Sequence, residues 1–252
     1  MVKKNVLVTG ASSGFGEAIA RKFLSEGHRL ILVARRKERL ISLVDEFDAS
    51  DRCLIIGLDV RDRKKIDQEI TGLPVGFKRV DILVNNAGLA LGLGPAETSD
   101  PEDWEMMIDT NIKGMLYFSR SILPGMVERR SGHIVNIGSI AATWPYPGGN
   151  VYGGTKAFVQ QFSRNLRCDL VGRNIRVSLV EPGMSETEFS IVRFKGDREK
   201  AKSVYEKMKP IVGEDIAETV FWLTSMPEHI NVNQIEIMPV AQAWSPFSVH
   251  RE

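Results

Sequence analysis

Short runs of aliphatic and β-branched residues alternate along this chain with longer amphipathic stretches, and that alternation limits the fold more than any other feature. The runs lie at 6–8, 30–34, 53–58, 80–84, 134–137, 175–180 and 234–238. Helical periodicity falls between them, near 15–26, 36–47, 62–71, 101–123, 151–171 and 213–225. Continuous apolar runs of strand length belong to strands buried on both faces, as in a parallel sheet covered by helices. Right-handed crossovers then predict an α/β, Rossmann-like, doubly wound sheet. Ligands in such sheets sit beyond the carboxyl ends of the strands, where strand order reverses. No internal repeat or linker interrupts the 252 residues, so 1–252 reads as a single domain. The charge-rich stretch 184–212 breaks the rhythm and is expected to form a substrate lid.

Charge narrows the function. With 33 basic and 32 acidic side chains the net charge is +1, which argues against a broad electrostatic footprint for nucleic acid or acidic membrane. No apolar run approaches the ~18 residues of a membrane span. Nothing near the start reads as a signal peptide, and a cytoplasmic protein is the expectation. Cys53, Cys168 and four scattered His form neither a disulfide framework nor a metal-ligand pattern, so no metal is expected. Two stretches, 82–96 and 134–155, carry no charged side chain. About six would be expected in the second at average density. Each is either a buried strand plus a packed loop, or the floor of a cavity at the strand ends.

The first strand ends in Thr9-Gly10-Ala11-Ser12-Ser13-Gly14-Phe15-Gly16. A glycine-rich turn between strand and helix lets backbone approach a pyrophosphate, whose charge the helix N-terminus stabilises. The second strand predicts the cofactor type. Folds that take NAD place an acid near its end for the ribose 2′-hydroxyl. Here Arg35-Arg36 follows instead, and guanidinium groups suit a 2′-phosphate, which points to NADP. Asp59, before Val60, closes the third strand as a candidate acceptor for an adenine amino group. Asn85-Asn86-Ala87-Gly88 closes the fourth with small residues that leave room for a flat ligand.

Tyr152 and Lys156 are four apart at the start of a helix, so they share one face. A neighbouring ammonium favours the phenolate and lowers the phenol pKa from about 10. A tyrosine so tuned can exchange a proton with a carbonyl or alcohol oxygen. Ser139, just past the fifth strand, is placed to hold the same oxygen.

Thr9 to Gly16, Asn85 to Gly88, Asn111, Ser139, Tyr152-x-x-x-Lys156 and Pro182-Gly183 resemble the short-chain dehydrogenase/reductase family, in order and over the whole chain. The resemblance implies Tyr152 as acid/base, Ser139 orienting the substrate, and Lys156 holding the nicotinamide ribose. Asn111 would hold a water linked to Lys156, and Pro182, Gly183 and Thr187 would contact the cofactor. Segments such as NNAGLALG, GGNVYGGTKAFV and TEFSIVRFKGD are similar to those of its NADP-dependent 3-hydroxy acid dehydrogenase group. That group acts on L-serine, L-allo-threonine and 3-hydroxypropionate or malonic semialdehyde, typically as a homotetramer.

A carboxylate substrate needs a cationic or dipolar partner in a dry pocket. Arg193 and Lys195 in the lid, or Asn150 with Gly148-Gly149, are the sequence candidates. A 3-oxoacyl carrier protein reductase, a broad carbonyl reductase and a non-catalytic NADPH-binding regulator are the alternatives. The apolar tail 240–249, with Trp244 and Phe247, either meets another subunit or folds onto its own domain.

Overall fold

Residues 3–244 are described by the computed structural model. Of the tail 240–249, Trp244 is described and packs on Trp144 of its own chain, with ring centres 5.7 Å apart, while 245–249, with Phe247, lie outside those residues.

Seven parallel strands form one sheet in the order β3-β2-β1-β4-β5-β6-β7. They are β1 (Asn5–Thr9), β2 (Arg29–Ala34), β3 (Cys53–Gly57), β4 (Ile82–Asn85), β5 (Gly132–Ile137), β6 (Ile175–Pro182) and β7 (Gln234–Ile237). The order reverses between β1 and β4, so their carboxyl ends diverge into a crevice. Val6, Leu7, Val8, Leu83 and Val84 are fully buried, as strands covered on both faces require.

Helices cover both faces. On one lie α1 (Gly14–Ser25), α2 (Lys37–Glu46) and α9 (Gly213–Ser225), packing through Ile19, Phe23, Leu40 and Val220. On the other lie α3 (Arg63–Thr71), α5 (Met115–Glu128) and α6 (Asn150–Asp169), through Ile66, Phe118, Ile122 and Leu166. Asp62 caps α3 through the Lys65 amide, and Asp100 with Pro101 opens α4 (Pro101–Ile108).

The helix expected over 101–123 differs in two ways. A π-helical turn at Asp109–Gly114 separates α4 from α5, and such turns widen a helix locally. Gly114 there lies against the β3–α3 loop, where a Cβ would come within 2.8 Å of Val60 Cγ2. The helix also continues through Pro124 to Glu128. Proline removes only the bond to the Arg120 carbonyl, and Arg120 is exposed to solvent.

The 184–212 stretch holds two short helices, α7 (Glu188–Arg193), which borders the crevice, and α8 (Arg198–Ser203), which does not line it. Tyr205 donates to the Ser185 carbonyl at 2.6 Å and meets the Ser190 hydroxyl, so it pins this stretch on itself. Among the described residues, no helix is long and apolar enough to cross a membrane.

Phe23 joins α1 to α9, with its ring 5.5 Å from Phe221. Phe23→Ala is expected to cost about 3–5 kcal/mol, read as a lower urea midpoint. An unchanged midpoint would show that this layer does not carry the fold.

Candidate active site

A cavity of about 560 Å³ opens at the carboxyl ends of the strands. Both uncharged stretches form its floor, through Asn86, Ala87, Gly88 and Leu89 from one and Ser139, Ala141 and Tyr152 from the other. Charge is missing there because an ionised side chain in that floor would have no partner.

The floor is fixed at the point of strand reversal. Thr9 Oγ1 accepts the Asn86 and Ala87 amides, both at 3.0 Å, and Asn86 Nδ2 donates to the Thr9 carbonyl at 2.9 Å. Gly10 turns the chain with φ +69, a conformation that favours glycine. Gly16 does not line the cavity but lets α1 press on the turn, since a Cβ would sit 2.2 Å from the Gly10 carbonyl oxygen. Ser12, Ser13, Gly14 and Phe15 face the cavity, and no side chain caps the α1 N-terminus. Its first amides are therefore available to an anion.

Arg35 and Arg36 line the far end. Arg36 donates through Nη2 to Ser13 Oγ at 2.8 Å and pairs with Glu188. Asp59 and Val60 form the adjoining wall. Both Asp59 oxygens accept from Arg61, with Nη2 to Oδ2 at 2.7 Å, and this pairing keeps the carboxyl below its ordinary range. Asp59 is thus held ionised as an acceptor.

The opposite end brings Ser139, Tyr152 and Lys156 together. Lys156 Nζ donates to the Ile137 carbonyl at 2.9 Å and lies 5.9 Å from the Tyr152 ring centre. The protonation pattern corrects the expectation of an acidified phenol. Burial pushes Tyr152 up to about 12, opposed by its hydrogen bond with Ser139 and by the Arg193 charge. Burial brings Lys156 down to about 8, with Glu181 opposing. Desolvation disfavours the charged form of each group and is the largest influence on both.

Asn111, in the π-helical turn, does not line the cavity. Its Oδ1 accepts the Leu89 amide, and its Nδ2 donates to the Leu89 carbonyl and to Thr155 Oγ1. A Cβ on Gly88 would lie 3.2 Å from Asn111 Oδ1 and 3.6 Å from Lys156 Nζ, so both polar atoms border one small space. Pro182, Gly183 and Thr187 complete the rim, and Thr187 caps α7 through the Phe189 amide.

Of the candidates for a substrate anion, the geometry keeps one. Arg193 lies over the Tyr152 ring at 5.7 Å, held by the Gly92 carbonyl and the Tyr146 hydroxyl at 3.1 and 2.8 Å. Asn150 is corrected: it sits at the start of α6 outside the cavity, accepting the Val151 amide and donating to the Gly94 carbonyl. Lys195 is corrected too, because its ammonium pairs with Asp103 at 2.8 Å outside the wall.

Sequence reasoning missed several wall residues. Glu188 and Phe189 come from the lid, and the Phe189 ring lies 5.6 Å from that of Tyr152. Trp144 and Trp244 meet at the mouth, each donating to Glu236. Behind the wall and not lining it, Glu181 is fully buried in β6, taking hydrogen bonds from Gln160 and Gln234, and burial raises its pKa. Trp144 and Tyr146 had a signal, as large aromatic residues inside an uncharged stretch, and so did Trp244 in the apolar tail.

A sheet reversal with a glycine turn at one side and a Ser-Tyr-Lys cluster at the other defines a class, and comparison with known proteins agrees. The short chain dehydrogenase family model matches residues 4–197, and the chain belongs to that family. It is 56% identical over 247 residues to the NADP-dependent 3-hydroxy acid dehydrogenase YdfG of Salmonella typhi, covering 98% of this chain and 99% of that one. It is 51% identical over 248 residues to sulfoacetaldehyde reductase 2 of Chromohalobacter salexigens, covering 98% of each. The structure of the closed form of serine dehydrogenase complexed with NADP+ superposes with a TM-score of 0.96 at 54% identity, covering 98% of this chain and 100% of that one.

The lowered Lys156 pKa carries a stability signature. Between its folded value of about 8 and the unfolded value near 10.4, the unfolded chain binds more protons, so stability rises with pH. The protein is expected to gain on the order of 2 kcal/mol over Lys156→Met from neutral to about pH 10. Urea titrations across that range check it, and parallel pH curves for the two proteins would reject it.

Proposed function

We propose that this chain is an NADP-dependent oxidoreductase acting reversibly at C3 of small 3-hydroxy acids such as L-serine, L-allo-threonine and 3-hydroxypropionate. The observation that carries this reading is Arg193 held over the Tyr152 ring, a cation one residue's reach from the proton donor. A 3-hydroxy acid has its reacting carbon two atoms from a carboxylate, so it needs that pairing of a proton carrier with a fixed cation.

The residues present fit the dinucleotide. The α1 amides lack a side-chain cap where a pyrophosphate would lie, a Cβ at Gly10 would meet Asn86 Nδ2 at 2.9 Å, and Arg36 stands at the ribose corner. Ser12, Ser13, Gly14 and Phe15 would hold the phosphates, Arg35 and Arg36 the 2′-phosphate, and Asp59 with Val60 the adenine. Asn86, Ala87, Gly88, Pro182, Gly183 and Thr187 would flank the remainder. When bound, NADP(H) supplies or accepts the hydride.

The chain's own groups handle the proton. Tyr152, held protonated by burial, gives its phenolic proton to the carbonyl oxygen in reduction; in oxidation the phenol first passes that proton towards Lys156 and solvent, and the phenolate then takes the alcohol proton. Ser139 donates to the same oxygen as negative charge develops there. Lys156 and Asn111 border the space beneath and serve as the route by which Tyr152 regains its proton. Arg193 orients the carboxylate, and Phe189 with the lid excludes water. The likeness to a sulfoacetaldehyde reductase supports a second reading, in which a small sulfonate aldehyde meets the same guanidinium. A homotetramer in the cytoplasm belongs to the same proposal, on the strength of the family resemblance.

Tyr152→Phe is expected to lower turnover at least about 100-fold while NADPH binding persists. Retained turnover would remove Tyr152 from the reaction. A spectrophotometric screen of NADP+ and NAD+ with L-serine, L-allo-threonine, 3-hydroxypropionate and 3-hydroxybutyrate, and of NADPH with sulfoacetaldehyde, tests the substrate class. Arg193→Ala is expected to raise KM for the anionic substrates about tenfold or more, with little change for a neutral alcohol. Equal effects on both would assign Arg193 to lid packing instead.

A further inference from the structure

The corner that fits the ribose phosphate already holds an anion from the chain itself. Glu188, the first residue of α7, reaches the Arg36 guanidinium in a two-pronged pair, with Nη1 to Oε1 at 3.0 Å and Nη2 to Oε2 at 2.6 Å. Arg39 Nη1 lies 3.2 Å from Oε1, and Ser13 adds a hydroxyl beside the fork. The neighbouring Thr187 rests on the glycine turn, where a Cβ on Gly14 would lie 3.3 Å from Thr187 Cβ. The carboxylate is held down at about 2, first by the Arg36 hydrogen bond and then by the charges of Arg36 and Arg39.

A guanidinium fork aligned on one carboxylate is not free to align on a phosphate, and two anions sharing it repel each other. Arg36 is the same residue that fits the 2′-phosphate, so the two anions compete for one set of donors. We propose that Glu188 is a specificity-determining residue standing in the 2′-phosphate position, displaced from Arg36 by NADP(H) and left in place by a cofactor without that phosphate. The inference rests on the NADP reading above. It also ties the two ends of the site together, because α7 begins at Glu188 and ends at Arg193, whose guanidinium lies over Tyr152.

The test is equilibrium binding of NADPH and of NADH to the full chain, followed by nicotinamide fluorescence, in the wild type, Glu188→Gln, Glu188→Ala, Arg36→Ala and the Arg36→Ala, Glu188→Gln double variant. Removing the competitor is expected to tighten NADPH about fivefold in either Glu188 variant and to leave NADH unchanged. In the Arg36→Ala background the Glu188→Gln change is expected to lose most of that gain, since the two-pronged fork is gone and only the single Arg39 contact remains contested. Unchanged or weaker NADPH binding in the Glu188 variants would overturn the proposal. So would equal tightening of both cofactors, or an effect that persists undiminished without Arg36. The NADP reading fails separately, if Arg36→Ala leaves wild-type NADPH affinity intact.

Discussion

The reversal of strand order between β1 and β4 is the constraint on which the rest of this molecule depends. Two neighbouring parallel strands send their crossovers in opposite directions, so nothing fills the space beyond their carboxyl ends. Thr9 and Asn86 hold that gap open by bonding each other's backbone across it. Gly10 and Gly16 allow α1 to start immediately below, with its free amides directed into the same space. Every other part of the site is placed relative to this crevice: the arginine corner past β2, Asp59 past β3, Ser139 past β5, Pro182 and Gly183 past β6.

Burial then sets the chemistry, differently at the two ends. The end beneath Tyr152 is dry enough that desolvation raises the phenol, which stays neutral, and lowers the lysine to about 8, so that its charge is held less firmly than in water. Tyr152 is therefore a protonated phenol there, with the Arg193 guanidinium over its ring. The end near Arg36 is open to solvent, and there charges pair instead of being suppressed. One cavity thus holds a buried phenol and an anion-binding corner, bridged by α7.

Much of this was legible along the chain. The seven apolar runs match the seven strands to within a few residues, because burial on both faces leaves a contiguous signal. The glycine turn, Arg35-Arg36 and the Ser139, Tyr152, Lys156 set are local or near-local patterns whose residue types have few other uses together. The helix over 101–123 was legible only in outline, since helical periodicity does not distinguish a π-helical turn from an α-helical one and the close approach of Gly114 to Val60 is a contact between distant segments.

What the chain by itself determined is the kind of fold, the phosphate turn and the identity of the proton-handling side chains, because each is written in neighbouring or evenly spaced positions. What only the tertiary structure decided is that Arg193 rather than Lys195 borders the cavity, that burial is the largest influence on the Tyr152 phenol, and that Glu188 lies in the Arg36 fork. Those outcomes depend on distance and dielectric between segments up to 152 positions apart, and no local pattern encodes either.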